Sequence, residues 1–229
     1  MRKIRTPFFI VNPKAYLHGA SSLELARHAD ALAEKYDVDI LFTGQHVDLR
    51  LLKSECPHLI ITAQHMDGMK PGRGMGHILP DALKEAGVEA VFLNHAEHAL
   101  TFSQLAAAVR CGKEQGIASI VCADTIEEAG ILAELHPEIM VCEQTALIGT
   151  GKTADVNYME ATNRIVKAVS PETLVLQAAG ISSGKNVYDA IMSGADGTGG
   201  TSGIVAAPDP KGILTEMIEA LCRAREDRK

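Results

Sequence analysis

The sequence predicts a (β/α)8 barrel that occupies residues 1–229 as a single domain. Three observations lead to this prediction: short apolar runs alternate with helix-length segments about eight times, most of these runs are apolar throughout, and no Pro/Ser-rich linker divides the chain. Strand followed by helix, repeated along a chain, is typical of parallel strands joined by right-handed crossovers. Strands that helices cover on both faces read as continuous apolar runs. The fold class is therefore α/β.

Seven runs have the length and the β-branched content of buried strands. In chain order they are Pro7–Asn12, Val38–Thr43, His58–Gln64, Ala90–Asn94, Ala118–Ala123, Ile139–Glu143 and Leu174–Ala179. An eighth strand is expected at Gly197–Ser202, although glycine weakens the interior of a strand. The closed barrel depends on this last segment, and an open doubly wound sheet is the alternative.

Amphipathic segments with recognisable ends lie between the predicted strands. The first helix is expected to be capped by Ser21 or Ser22, and Thr125 with Glu128 has the spacing of a capping box. The predicted helices run from Ser21 or Ser22 to Lys35, from Pro80 to Gly87, from Thr101 to Gly116, from Thr125 onward, and over Asn157–Val169, Gly184–Ser193 and Pro210–Ala224.

Composition and charge exclude several classes of partner. Hydrophobic residues make up 46% of the chain, which is enough for a sizeable core. The net charge of -7 and the lack of a basic run argue against binding to nucleic acid or to an anionic membrane surface. No apolar run approaches the roughly 20 residues that span a bilayer, and no signal-like segment precedes the first strand. Five cysteines without C-x-x-C spacing indicate a reducing compartment, so we expect a soluble cytoplasmic protein.

Polar side chains gather at one end of the predicted strands. Asn12 and Lys14 follow the first strand, His95 and Glu97 follow the fourth, and Glu143 ends the sixth. Glycines follow the seventh strand and fill the eighth. In a closed barrel of this kind the active site lies at the C-terminal ends of the strands. This concentration of ionisable groups therefore predicts an active site there.

Taken in order, six segments resemble the triosephosphate isomerase family, in particular its shorter archaeal branch. They are Asn12-x-Lys14, Ala63-Gln64-His65-Met66-Asp67, Pro71-Gly72 with Gly76–Pro80, Asn94-His95-x-Glu97, Glu143 with Leu147–Gly151, and Ala179-Gly180-Ile181. The resemblance extends from about Val11 to the C-terminal helix. It implies an aldose-ketose isomerase that interconverts glyceraldehyde 3-phosphate and dihydroxyacetone phosphate without a cofactor.

The resemblance implies a role for each residue at the strand ends. Glu143 would be the base that removes a proton beside the carbonyl, and His95 would donate a hydrogen bond to the developing enediolate oxygen. Lys14 would face the substrate oxygen and the phosphate, with Asn12 orienting it and Glu97 pairing with it from behind.

The phosphate would be held by backbone N–H groups at the ends of the later strands. Glycines allow the main chain to approach an anion closely, and a helix start adds a favourable dipole. The expected substrate-binding residues of this part are Ile148, Gly149, Gly180, Thr201 and Ser202. The resemblance also implies that 146–152 is a lid that closes over the site.

Several positions depart from the family pattern. Pro13 replaces an aromatic residue, Ala96 a serine, Met75 a threonine and Gly199 a leucine. We expect glycine at 199 to leave the carboxylate of Glu143 more solvated and to enlarge the pocket. One alternative is therefore an isomerase of a longer sugar phosphate, such as a tetrose or pentose phosphate. A second alternative is a sugar-phosphate-binding protein without turnover.

The remaining histidines do not predict a metal site. His65, Asp67, His77 and His98 fall on different loops without ligand spacing, and the family's reaction needs no metal.

Assembly is a further implication of the resemblance. Residues 66–76 resemble a loop that projects beside a partner subunit's site, and Met69 and Met75 on it suit an interface better than water. We expect a homodimer, with a homotetramer as the alternative.

Overall fold

Eight parallel strands close into a barrel in sequential order, as a computed structural model that describes residues 2–148, 150 and 155–229 shows. The strands are β1 Phe8–Val11, β2 Ile40–Gly44, β3 Ile60–Ala63, β4 Ala90–Leu93, β5 Ala118–Ala123, β6 Ile139–Cys142, β7 Leu174–Gln177 and β8 Gly197–Gly200. The predicted (β/α)8 barrel is confirmed, and the open sheet is wrong because β8 pairs with β1. That residues 1–229 form one domain stays a prediction.

Helices follow the strands around the outside of the barrel. They are α1 Gly19–Tyr36, α2 Leu49–Glu55, α3 Pro80–Glu85, α4 Phe102–Gln115, α5 Ile126–Ala133, α6 Val156–Val169, α7 Gly184–Met192, α8 Ser202–Val205 and α9 Pro210–Asp227, with a 3-10 turn at Thr145–Leu147. The predicted start of α4 is confirmed, since Thr101 and Gln104 form a complete capping box. None of the helices in the described part of the chain combines the length and apolar character that a membrane crossing requires.

The predicted cap of α1 is wrong, whereas the predicted start of α5 at Thr125 is confirmed with only half of its capping box. Helix α1 begins at Gly19, so Ser21 lies inside its first turn and donates to the carbonyl of His18 at 2.9 Å instead of capping. At α5, Thr125 accepts the N–H of Glu128 at 3.1 Å, which is half of a capping box. The other half is missing because the Glu128 carboxylate accepts the N–H of Asp124 instead, at 2.8 Å.

The glycines of β8 are needed for the barrel to close against β1. Phe8 is paired with Gly197 and Ile10 with Gly199, and both apolar side chains fill the barrel interior. A Cβ at Gly197 would lie 2.5 Å from the ring of Phe8, and one at Gly199 would meet the carbonyl oxygen of Ile10. The poor strand propensity of β8 is therefore offset by the close approach that only glycine allows.

The five cysteines are free thiols, and Cys56, Cys122 and Cys142 are buried. Cys122 lies in β5 and Cys142 in β6. Burial raises the pKa of Cys142 to about 12 and raises that of Cys122 well above its usual value. These side chains therefore act as small apolar groups.

Candidate active site

A cavity of about 270 Å³ opens at the C-terminal ends of the strands. Its lining includes each predicted site residue in the described part of the chain: Asn12, Lys14, His95, Glu97, Glu143, Ile148, Gly180, Thr201 and Ser202. Gly149, predicted as a phosphate donor, and positions 151 and 152 of the predicted lid at 146–152 lie outside the described residues. Side chains that are up to 190 positions apart in the sequence thus share one opening.

Glu143 is placed by the end of β6. Its backbone N–H donates to the carbonyl of Ala123 at 3.0 Å, which extends the pairing of β6 with β5 by one residue. Burial raises the pKa of the Glu143 carboxyl; the charge of Lys14 lowers it and the charge of Glu97 raises it further. A carboxylate with a raised pKa is a better proton acceptor than one in water.

His95 is aimed at the cavity by the residue before it. Asn94 has a left-handed backbone with φ of 58°, and its side chain is held at both ends. The Asn94 amide donates to the carbonyl of Cys122 and accepts the N–H of Leu100, each at 3.1 Å. Asparagine tolerates this backbone region better than most residues. The backbone preference and the two hydrogen bonds of Asn94 therefore hold the sharp turn after β4.

The hydrogen bonding of His95 determines which nitrogen carries its proton. The backbone N–H of Glu97 donates to Nδ1 of His95 at 3.1 Å. In a neutral ring one nitrogen accepts and the other donates, so the proton lies on Nε2. Burial lowers the pKa of His95, as does Lys14, although Glu97 opposes them. His95 is thus a neutral hydrogen-bond donor at neutral pH.

Lys14 brings a cation into the same cavity. Its Nζ lies 2.8 Å from Oε1 of Glu97, and its side chain is only 15% exposed. Its backbone is left-handed, with φ of 48°, and its N–H donates to Oδ1 of Asn12 at 3.0 Å. The predicted pairing with Glu97 and the predicted contact with Asn12 are both present.

The opposite side of the cavity is built from backbone. Gly180, with φ of 70°, and Gly200 bring the loops after β7 and β8 close together. A Cβ at Gly200 would lie 3.1 Å from the carbonyl oxygen of Ile181, so a larger residue would push these loops apart. Thr201 and Ser202 follow at the start of α8. Main chain without bulky side chains is the surface that an anion can approach.

Glycine at 199 does not open extra space on the side of β1. A Cβ there would also lie 2.9 Å from Cβ of Ile10, so a leucine would require β1 to move. Glu143 remains sufficiently buried for desolvation to raise its pKa. The effect of Gly199 on solvation relative to other family members stays a prediction.

The sequence reasoning assigned no role to several polar residues around the cavity. Tyr16 and Ser182 line it, and Thr43, Gln45 and Gln64 hold the residues that do. Gln45 and Gln64 directly follow β2 and β3, so they carry the same positional signal as the predicted residues. Both donate to the backbone carbonyl of Lys14, a contact that a sequence pattern does not reveal.

His65, His77 and His98 lie on the loops after β3 and β4, beside the candidate site. The rings of His65 and His98 stack at 4.1 Å between centroids, and His77 Nδ1 lies 2.9 Å from Oδ1 of Asp67. Among residues 2–148, 150 and 155–229, no three His, Cys, Asp or Glu side chains are arranged to hold a metal ion.

Comparison with known proteins agrees with this geometry. Residues 7–220 match the family described as triosephosphate isomerase. The chain is 37% identical over 224 residues to the triosephosphate isomerase of Methanopyrus kandleri, covering 95% of this chain and 99% of that protein. It is 35% identical to that of Methanothermus fervidus over 217 residues, covering 93% and 97%. Identity to that of Methanocaldococcus jannaschii is 34% over 215 residues, covering 92% and 98%. The chain therefore belongs to the triosephosphate isomerase family.

Proposed function

We propose that the protein is an isomerase that interconverts glyceraldehyde 3-phosphate and dihydroxyacetone phosphate. One observation carries the proposal: a partly buried carboxylate and a neutral, proton-donating imidazole line the same cavity, with a lysine beside them. Its relatives in several archaea are named triosephosphate isomerases.

The first step is proton removal from C1 of dihydroxyacetone phosphate by the carboxylate of Glu143. The electrons of the broken C–H bond form a C1–C2 double bond, and those of the C2 carbonyl move to its oxygen. His95 stabilises this enediolate oxygen by donating the hydrogen on Nε2. Triosephosphate isomerase is the standard example of a neutral histidine in this role, so we take the assignment from the family and add the Glu97 N–H that fixes the tautomer here.

The second step returns the proton to the neighbouring carbon. Glu143, now a carboxylic acid, protonates C2, and the C1 carbonyl forms as the hydroxyl proton passes from O1 to O2. Because Glu143 ends in the state in which it began, the cycle needs no external acid, base or oxidant. A raised pKa suits both steps, since the same group must accept and donate a proton near neutral pH.

Lys14 and the backbone of the β7 and β8 loops would bind the phosphate end of the substrate. Among the described residues of the cavity lining Lys14 supplies the cation, and it is already partly neutralised by Glu97. The N–H groups of Gly180, Thr201 and Ser202 would complete the anion site. Binding through one lysine and the backbone suits a chain with a net charge of -7.

Turnover of the purified protein tests the proposal directly. We expect interconversion of the two triose phosphates and incorporation of solvent deuterium at C1 or C2. The alternative of a binding protein without turnover predicts no deuterium at either carbon. The alternative of a longer substrate predicts that kcat/KM is highest for a phosphorylated tetrose or pentose; a maximum for the triose removes it.

We also propose that the protein forms a homodimer in the reducing cytoplasm. Large apolar side chains are exposed on the loops after β1, β2 and β3 and at the first residue of α4: Tyr16 at 67%, Val47 at 89%, Met75 fully and Phe102 at 58%. Large apolar side chains in water favour burial against a partner. Met69 does not add to these side chains, because its side chain covers Gly74 within its own loop. Light scattering tests the assembly, and a monomeric mass would refute it.

A further inference from the structure

Two glutamines contact Lys14 through its backbone. Nε2 of Gln64 donates to the carbonyl oxygen of Lys14 at 2.7 Å, and Nε2 of Gln45 donates to the same oxygen at 3.2 Å. Gln45 Nε2 also lies 3.1 Å from Oε1 of Gln64 and donates to it. A carbonyl oxygen has two lone pairs, so both amides are accommodated. The two glutamines thus form a linked pair on a single oxygen.

The backbone of Lys14 needs such support. Its φ of 48° lies in the left-handed region, which residues with a Cβ seldom adopt. A residue keeps such a conformation only where several contacts with its surroundings stabilise it. Here the N–H of Lys14 is held by Asn12, whose Oδ1 also accepts from the hydroxyl of Thr43 at 2.6 Å. The glutamine pair holds the other polar group of the same residue.

We propose that Gln45 and Gln64 are positioning residues for Lys14. By fixing the left-handed turn they set the direction of its Cα–Cβ bond, and so keep Nζ in the cavity beside Glu97. The proposal rests on the proposed function, in which Lys14 binds the substrate. Neither glutamine needs to touch the substrate for this role.

The arrangement comes from three neighbouring strands. Lys14 follows β1, Gln45 directly follows β2 and Gln64 directly follows β3. Parallel pairing of β1 with β2 and of β2 with β3 brings these three strand ends side by side. The glutamine pair and Lys14 therefore lie together at the rim of the barrel, and their contacts form only when these strands are correctly paired.

Methionine is the substitution that tests this role most cleanly. It has about the same length as glutamine and no charge, but it has no N–H donor. A glutamate would instead add a negative charge near the phosphate site and would repel the substrate regardless of Lys14. We therefore choose Gln64→Met and Gln45→Met, with Gln115→Met at the far end of α4 as the matched control.

The decisive measurement is a double-mutant cycle with Lys14→Met. We expect Gln64→Met to lower kcat/KM about tenfold in the wild-type background, through a higher KM together with a lower kcat, and Gln45→Met to lower it less. In the Lys14→Met background we expect less than a twofold further change. Gln115→Met should match the wild type, and the midpoints of thermal unfolding should agree within about 2 °C.

Other outcomes overturn the proposal. The pair does not act through Lys14 if kcat/KM is unchanged in both glutamine variants. The same conclusion follows if kcat/KM falls equally with and without Lys14, or if it falls only together with the midpoint of thermal unfolding. If Gln64→Met does not fold, Gln45→Met completes the cycle.

Calorimetric affinity for inorganic phosphate, measured in the same cycle, requires no turnover. Affinity that falls only when Lys14 is present supports the positioning role even if no triose is isomerised. Equal affinity in all variants overturns it, so the failure of this inference is distinguishable from the failure of the proposed function.

Discussion

Alanine at Gly197 should crowd the barrel at a single, identifiable contact. The added Cβ would lie 2.5–2.6 Å from three atoms of the Phe8 ring, whereas carbon atoms in contact are normally about 3.5–4.0 Å apart. The ring must therefore move by about 1 Å in a fully buried interior. Overpacking of this kind costs about 1–3 kcal/mol. At about 2–4 °C per kcal/mol for a chain of this size, Tm should fall by about 2–12 °C.

A pair of double-mutant cycles checks this reasoning by thermal and denaturant unfolding. Phe8→Leu removes the ring, so Gly197→Ala with Phe8→Leu should be more stable than the sum of the single effects implies. At Gly199 the added Cβ would meet the backbone of Ile10, which Ile10→Val leaves in place. Gly199→Ala with Ile10→Val should therefore show no relief. Strict additivity in both cycles would refute the assignment of Phe8 as the crowding group.

Four further predictions concern the site and the assembly. Glu143→Asp should lower kcat about 100-fold with little change in KM, because the base is withdrawn by about an ångström, and steady-state kinetics showing unchanged turnover would exclude Glu143 as the base. The wild-type kcat/KM should fall as the pH is lowered, because the active form needs Glu143 ionised. The midpoint of this fall should lie above pH 4.5, since burial raises the pKa of Glu143 from that ordinary value. His95 stays neutral near pH 7, because its pKa is lowered from 6.5. The charge of Lys14 lowers both of these pKa values, so Lys14→Met should move the fall of kcat/KM at low pH to a higher pH than in the wild type. An unchanged pH profile contradicts this prediction. Because both proteins are assayed with the same substrate, the ionisation of the substrate does not affect the comparison. Met75→Glu should shift the mass measured by light scattering from dimer towards monomer, and an unchanged dimer would place the interface elsewhere.

The sequence was sufficient to predict the barrel and the residues around its mouth. Apolar runs alternating with amphipathic segments indicated parallel strands, and the ionisable residues after β1, β4 and β6 indicated which end would be active. The helix α2 was not predicted, because Leu49–Glu55 is a short segment without a strong cap. At β8, propensity argued against a strand, and only the packing of Phe8 and Ile10 shows why glycine is required there.

Other features of the site depend on contacts that no local pattern contains. The tautomer of His95 follows from a backbone N–H two residues further on, and the sequence does not show where that group points. The roles of Gln45 and Gln64 depend on the backbone carbonyl oxygen of Lys14, in the loop after β1. Every residue has such an oxygen, so the sequence does not indicate which one accepts these hydrogen bonds. Sequence reasoning placed the candidate residues at one end of the barrel, but the supporting contacts required the three-dimensional structure.

The buried thiols of β5 and β6 can be used to measure local opening of the barrel. A thiol reacts as its thiolate, so Cys122 and Cys142 in the closed barrel should be nearly inert to alkylating reagents. Modification at these two positions then measures how often β5 and β6 separate from their neighbours, directly beside the carboxylate of Glu143. Ligands that tighten the mouth of the barrel should slow this labelling even though they never touch sulfur.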